Sequence, residues 1–546
     1  MKTRGGAWLA AGLLVVAGLH AWVWLPTEPH HNNDESRHVM TGVFMRDALV
    51  DGAWRDPITY AQRYYLQYPA LGLLVWPPLF YVAEGLVMLG LGTSFVAAQL
   101  TVAGFALAAT LFVFRWVRLT WGHDRLAAAA AVLFAVSPLG FRYSRHVMLE
   151  IPTLAWCFAA LFYFERYLVE RRGGDALRVG LLAAAAALTR FDAVFLLPYF
   201  GIRLTTERRL SELTRPAVVA GIVLGLVMAA PYYWFTWQQY GSTIAQAAHQ
   251  GTMPDSRPFD LWHNLPFYPS RLPWQAGVAI TLGAMAGWWR GWRGWRGWHG
   301  GRVPGNTRAS LTLIAAVYLT FTPLAELEDR HVIYWIPAFA AWAAAAAESL
   351  PPPWRGVGYG VLILGAAIPR TWNVPSQVHG YAEAARQVLS GPLEARVVFF
   401  DGALSGNFIY QMRHLDPQRS VTVLRGDKLV YGVRSDPAGG YVEWTPHPDQ
   451  ILDLLHRYDP DWVIIEHPQA MFPDLPGPKR LRETLRDHPE RYEHASDLDI
   501  ALRGTHPAFR GVVLEFYRPV TRNPKRESLR EMPMLSLGRP VRAPDD

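Results

Sequence analysis

Cysteine is almost absent: Cys157 stands alone in 546 residues, so an internal disulfide framework is excluded. Charge is scarce as well. Asp, Glu, Lys and Arg make up 18% of the chain, against about 25% in soluble domains. Low charge combined with long apolar runs excludes disorder over most of the length. No internal repeat is visible. What is present is apolar surface, with 51% hydrophobic residues and a mean hydropathy of +0.07. That mean is too low for a uniformly apolar membrane chain, so it averages two populations. The net charge of +7 and pI near 9.4 fit either a nucleic-acid partner or basic membrane loops. Their position along the chain decides between the two.

Apolar runs of spanning length recur to about residue 370, near 7–25, 94–114, 126–141, 151–169, 176–190, 191–204, 216–235, 274–289, 309–323, 332–348 and 355–369. They predict an α-helical polytopic membrane domain with about eleven transmembrane helices. Lys2 and Arg4 precede the first run, and Leu19, His20 and Ala21 make a poor cleavage site. The run therefore reads as an uncleaved anchor. Arginines gather in alternate loops, at Arg115, Arg118 and Arg125, at Arg166, Arg171, Arg172 and Arg178, at Arg203, Arg208, Arg209 and Arg215, and from Arg290 to Arg308. Positive-inside counting makes these loops and the N-terminus cytoplasmic. The short run 79–92 contains Glu84; if it spanned, every later loop would invert, so it reads as an interfacial helix. The stretch GWWRGWRGWRGWHGG at 287–301 reads as an anchor in the headgroup zone. Nothing else supports a nucleic-acid partner.

The remaining loops, including 26–93, face outward and collect Asp34, Glu35, Glu150, Asp192, Glu326, Glu328 and Asp329. Ionisable groups at membrane depth are costly and tend to mark function, although any one of these acids is as well explained as an ordinary loop residue. Asp34 and Glu35 begin an amphipathic stretch, where an acid also serves as a cap. His30, His31 and His38 make a metal site conceivable, without diagnostic spacing. Arg142 and Arg145 precede Glu150, Arg190 and Asp192 share a tight turn, and Arg330 and His331 stand one turn above Tyr334. Each of these groups is a candidate phosphate clamp. After about residue 370 the pattern changes. ARVVFFDG (395–402), SVTVLRGD (420–427), DWVIIEH (461–467) and GVVLEFYRP (511–519) read as strands, and PDQILDLLHRY (448–458) as a helix. A soluble α/β domain over 371–520 is expected outside the cell, followed by a disordered tail at 521–546.

These motifs, in their order, resemble the GT-C superfamily of polyprenyl-phosphate-sugar glycosyltransferases. The likeness is greatest to bacterial relatives of protein O-mannosyltransferases and of lipid A aminoarabinose transferases. It rests on Asp34 and Glu35, Gly52–Pro57, WPPLFY (76–81), Arg145 through Glu150-Ile151-Pro152, LTRFDA (188–193) and DRHVIYWIPAF (329–339), and covers about residues 1–370. It implies a cavity at the outer face, a sugar donor on polyprenyl phosphate, and transfer with inversion to a glycan, lipid or protein acceptor. The enzyme would sit in the bacterial inner membrane with its C-terminal domain in the periplasm. The family's base falls on Asp34 and a second acidic position on Glu150. A lysine or histidine that often precedes the double proline is Trp76 here, so Arg37, Arg63, Arg145 or Arg330 are the expected substitutes.

The chemistry fits the residue types independently. A sugar phosphate carries its own leaving group, so one base and several cations suffice and no cofactor is required. A soluble nucleotide-sugar enzyme would need a cytoplasmic phosphate-binding fold, which has no counterpart in this sequence. Two other readings stand beside this one: a transporter or flippase for lipid-linked glycans, and a non-catalytic protein of the same fold. A transporter should place its ionisable groups near mid-membrane, whereas these lie at helix ends.

Overall fold

A computed structural model describes residues 12, 28–29, 33–73, 75–250, 260–296, 305–371, 377–390, 396–433, 441–470, 474–503, 510–533 and 540–543. The expected first span at 7–25, except for residue 12, lies outside them, as do His30 and His31.

The N-terminal two-thirds is helical. The main helices are α1 (Asn33–Asp51), α2 (Pro57–Gln67), α3 (Leu79–Leu91), α4 (Phe95–Trp121), α5 (Asp124–Val136), α6 (Pro138–Tyr143), α7 (Glu150–Glu170), α8 (Gly173–Ala187), α9 (Leu196–Thr206), α10 (Pro216–Gln250), α11 (Leu261–Ser270), α12 (Val278–Arg296), α13 (Gly305–Phe321), α14 (Ile336–Glu348) and α15 (Pro352–Thr371). Among the described residues, Phe95–Trp121 and Pro216–Gln239 are long and apolar enough to cross a membrane. The expected spans 151–169 and 355–369 lie within the uninterrupted helices α7 and α15, whereas others are shorter or interrupted. The run 126–141 breaks at Ser137, whose side chain caps α6 at the Gly140 N–H, with Pro138 in the first turn. The run 191–204 opens with a 3-10 turn at Phe191–Phe195 before α9. The segment 79–92 forms the thirteen-residue α3, packed on α1 and α4.

Apolar side chains cover the outside of these helices. Leu226, Val227 and Trp234 on α10, Leu282, Met285 and Trp289 on α12, and Val361 and Leu364 on α15 are all exposed. Continuous exposed apolar area of this kind is expelled from water, and makes the helical part a membrane domain. The tryptophan–arginine segment begins as the end of α12, with Trp288 and Trp289 exposed; residues 297–304 lie outside the described residues. Helices α8 and α10 cross closely. There, a Cβ on Gly180 would stand 1.9 Å from the Gly221 carbonyl oxygen, so the two backbones touch directly.

The C-terminal domain carries a five-stranded sheet of β1 (Arg396–Asp401), β2 (Val421–Arg425), β3 (Trp462–His467), β4 (Tyr492–Asp499) and β5 (Val513–Pro519), in the order β2-β1-β3-β5-β4. The first three are parallel, and β5 runs antiparallel to β3 and β4. Helices α16 (Tyr381–Leu389), α17 (Ser405–Leu415), α18 (Pro448–Tyr458) and α19 (Pro476–Asp487) accompany it. Phe399, Val463, Ile465, Ile451 and Leu481 fill one side. The expected disordered tail differs: Glu531–Met532 pairs with Val541–Arg542, and Met532 is buried. Among the described residues of this tail, Met532 is anchored in the core, an apolar contact that the polar, proline-rich composition around it does not announce.

Two acids, Asp401 and Glu466, are buried at the C-terminal ends of the adjacent parallel strands β1 and β3. Asp401 accepts the Tyr431 hydroxyl at 2.8 Å, and Glu466 accepts the backbone N–H groups of Ala403 and Ala470 at 3.0 and 2.9 Å. Burial pushes both carboxyls up to about 7.

This domain is docked on the first-loop helices by buried charge. Arg413 on α17 grips Asp47 on α1 with contacts of 2.7 and 2.9 Å, and the Tyr64 hydroxyl donates to the same carboxylate at 2.8 Å. Around this pair, Gln67 donates to the Arg419 carbonyl at 2.6 Å, and Arg425 donates to the Pro69 carbonyl at 2.6 Å.

Two outcomes are expected. Asp47→Ala leaves the Arg413 guanidinium buried without its partner, at a cost of about 3–5 kcal/mol; limited proteolysis should then release the C-terminal domain near 371–377. The raised carboxyls contribute stability that is complete below about pH 4, the ordinary range, and is lost as pH rises through about 7. Hydrogen exchange of β1 and β3 in the full chain should therefore be slower, relative to its intrinsic rate, at pH 5 than at pH 8. The double variant Asp401→Asn, Glu466→Gln should flatten this difference.

Candidate active site

Four separate segments converge at the N-terminal end of α1. Asp34 and Glu35 occupy the first turn of that helix, where the helix dipole favours acids. Glu150 opens α7 with Pro152 in its first turn. Arg190 and Asp192 come from the turn between α8 and α9. Arg330 sits in the 3-10 turn Asp329–Trp335 that leads into α14. Asp329 fixes this last turn by a two-pronged pair with Arg271, at 2.8 and 2.7 Å, and by a bond from Gln275 at 3.0 Å.

The charges form a chain. Glu150, with no exposed side-chain surface, accepts from Arg190 at 2.6 Å and lies 3.8 Å from Arg330. Arg190 is also 2.7 Å from Asp192. Arg330 in turn lies 3.8 Å from Asp34 and donates to Glu328 at 2.9 Å. Arg37, one turn along α1, is 3.7 Å from Asp34. Asp34 is 29% exposed and Arg330 18%. The group therefore runs from a dry end at Glu150 to an accessible carboxylate at Asp34, flanked by two guanidinium groups.

Other expected residues surround or leave this cluster. Tyr334 is buried between the rings of Phe195, at 4.8 Å, and Phe321, at 6.2 Å, and His331 stacks on Phe321 at 5.7 Å. Among the described residues, the Tyr334 hydroxyl and His331 Nδ1 have no hydrogen-bond partner. Arg142 is exposed, with its guanidinium 5.7 Å from the Tyr143 ring. Arg145 is buried against Phe141 at 5.7 Å, and its carbonyl accepts from Gln99. Glu35 points away from Asp34: it is buried and accepts the Val147 N–H at 2.7 Å, with His146 at 3.7 Å. It ties α1 to the segment before α7. Arg63 is not at the cluster; it lines a separate pocket with Tyr60, Tyr64, Gln67 and Arg419.

His38, named in the sequence only as a conceivable metal ligand, and Tyr81, named only within WPPLFY (76–81), pair with each other beside Asp34, which the sequence reading does not foresee. The His38 ring lies one turn beyond Asp34, on the same face of α1, and its Nδ1 is 2.7 Å from the Tyr81 hydroxyl. It also packs edge-on against Trp76 at 4.6 Å. The four-residue spacing from Asp34 was the available signal. Among the described residues no three His, Cys, Asp or Glu side chains gather as a metal-binding group.

The chain aligns along nearly its whole length with two crystal structures of ArnT from Cupriavidus metallidurans. The apo form gives a TM-score of 0.59 at 14% identity and covers 94% of this chain and 98% of that one. The form bound to undecaprenyl phosphate gives the same score and identity, covering 93% and 98%. The chain has the GT-C fold. That likeness extends into the C-terminal domain, beyond the residues 1–370 that the motifs cover. A family profile described as dolichyl-phosphate-mannose-protein mannosyltransferase matches residues 76–235. Two curated relatives are undecaprenyl phosphate-alpha-4-amino-4-deoxy-L-arabinose arabinosyl transferases, from Pectobacterium atrosepticum and Pectobacterium carotovorum subsp. carotovorum. Each is 25% identical, over 288 and 290 residues, or 49% of this chain. The chain matches 46% of the length of each relative, so it spans about half of the curated relatives it resembles. The GT-C superfamily resemblance read from the motifs is thus borne out.

The two neighbouring acids of α1 should behave differently. Glu35→Ala removes the buried acceptor of the Val147 N–H and should cost about 1–3 kcal/mol, seen as a lowered thermal midpoint. Asp34→Ala, at the accessible end, should leave that midpoint nearly unchanged.

Proposed function

We propose that this protein is a membrane glycosyltransferase that moves a sugar from a polyprenyl-phosphate donor to an acceptor hydroxyl, with inversion and with Asp34 as general base. The observation that carries the reading is the placement of Asp34. An accessible carboxylate stands beside Arg37 and Arg330, while Glu150, itself paired with Arg190, lies against Arg330 from behind. The undecaprenyl phosphate bound in the ArnT crystal structure and the sugar-transferring relatives support the donor class.

In this mechanism the acceptor oxygen attacks the anomeric carbon from the face opposite the phosphate. The new C–O bond forms as the bond to the phosphate oxygen breaks, and the acceptor proton passes to the Asp34 carboxylate. The departing phosphate gains negative charge, which the guanidinium groups of Arg330 and Arg37 offset, with Arg190 behind them. Phosphate is a good leaving group, so no general acid is needed. The polyprenyl tail stays in the bilayer beside the exposed apolar helix faces. We assign the site to the outer face of the inner membrane and the N-terminus to the cytoplasm, because the arginine-rich loops alternate with the loops that carry the cluster. Glu150 orients the arginines in this scheme.

Purified Asp34→Asn, supplied with a polyprenyl-phosphate sugar and a cell-envelope acceptor extract, should release polyprenyl phosphate about 10²–10⁴-fold more slowly than the unaltered enzyme, with its thermal midpoint preserved. An unchanged rate would remove Asp34 as the base. Donor uptake across vesicles without transfer would instead identify a transporter.

A further inference from the structure

Far from the acidic cluster, a pocket of about 220 Å³ opens in the seam between the first-loop helices and the C-terminal domain. Tyr60, Arg63, Tyr64 and Gln67 line it from α2, and Arg419 from the turn before β2. Its walls are set by contacts between the two domains. Tyr60 donates to Asp51 at 2.7 Å, and Arg419 grips the same carboxylate, with one contact at 2.8 Å. Arg419 also donates to the Tyr60 hydroxyl at 3.3 Å. Gln67 holds the Arg419 turn by bonds to the carbonyls of Arg419 and Val421. The Arg419 backbone is left-handed, at φ 56°, a conformation that side chains rarely adopt. The turn is thus kept in an unfavoured shape, with its guanidinium at the pocket. The half-buried Tyr60 ring stands 5.9 Å from the buried Tyr64 ring and tilted by 36° to it, giving one aromatic surface beside planar amide and guanidinium edges.

We propose that this pocket is a saccharide subsite, which holds a sugar unit of the acceptor remote from the hydroxyl that reacts at Asp34. The inference rests on the glycosyl-transfer reading and adds the class of acceptor to it. Aromatic faces take the C–H face of a sugar ring, and planar polar side chains take pairs of its hydroxyls. Ion pairs that are already formed fix those edges before the ligand arrives, which lowers the ordering cost of binding. The volume suits one sugar ring. Helix α1 measures the separation: Asp34 is in its first turn and Asp51 is its last residue, and at 1.5 Å per residue they lie about 25 Å apart. The acceptor is therefore an extended glycan, gripped at the soluble domain while its end reaches the membrane edge. A donor would not reach the pocket, because its lipid tail remains in the bilayer.

The test uses the full chain in detergent with mannotriose, chitotriose and maltotriose as separate probes, read by hydrogen exchange and by titration. At least one trisaccharide should protect segments 57–67 and 416–421 saturably. Arg63→Ala changes an exposed side chain; it should weaken that binding about tenfold or more without moving the thermal midpoint. Asp34→Asn should bind the trisaccharide as the unaltered protein does. No protection at these two segments by any of the three sugars, or equal binding by Arg63→Ala, overturns the subsite. The catalytic assignment is read separately, in the transfer rate of Asp34→Asn, so the two ideas fail by different measurements.

Discussion

The Glu150 carboxylate is what makes the cluster possible. It is wholly buried and joins two guanidinium groups, Arg190 and Arg330, that come from turns 140 residues apart. Two like charges in a dry setting repel strongly, and each alone would carry a large desolvation cost. An anion between them removes the repulsion and fixes both positions. Asp192 and Glu328 complete the neutralisation on either side. The arginines are consequently fixed in place by the protein itself, which under the proposed reaction leaves little reorganisation for the reacting state. The accessible Asp34 depends on this arrangement, because Arg330 is the link between it and the buried end.

Helix α1 carries the second constraint. Its first turn holds the candidate base, its middle places His38 against Tyr81 and Trp76, and its last turns hold Asp47 and Asp51 for Arg413 and Arg419. One rigid rod thus joins the membrane edge to the C-terminal domain. A displacement of that domain is transmitted to Asp34 through the helix, which stretches very little.

Much of this was legible in the sequence, for definite reasons. The strands at 395–402, 420–427 and 461–467 stand out because parallel strands buried on both faces are continuous apolar runs. Asp34, Glu150, Arg190 and Arg330 stand out because they lie in outer loops at the ends of apolar runs. Length was harder to read. The segments 126–141 and 191–204 look like spans by composition, but Ser137-Pro138 and the 3-10 turn at Phe191–Phe195 break them. Glu35 and Arg63 show a second limit. Both have the right residue type, but the Glu35 side chain turns toward Val147 and Arg63 lies on another helix at the Arg419 pocket, away from Asp34 and Arg37. His38 shows the reverse case: its ring joins the cluster because helical spacing puts it on the face of Asp34, although its type suggested a metal.

The bare crossing of α8 and α10 at Gly180 and Gly221 has a mechanical corollary. At these glycines the backbones meet carbonyl to Cα, and the Tyr233 hydroxyl adds a bond to the Ala187 carbonyl at 2.7 Å, so the two helices are held closely together. The Arg190 turn hangs from the end of that pair. Arg330, by contrast, rides on a short 3-10 turn, held at Asp329 by Arg271 and Gln275 and at Tyr334 by the rings of Phe195 and Phe321.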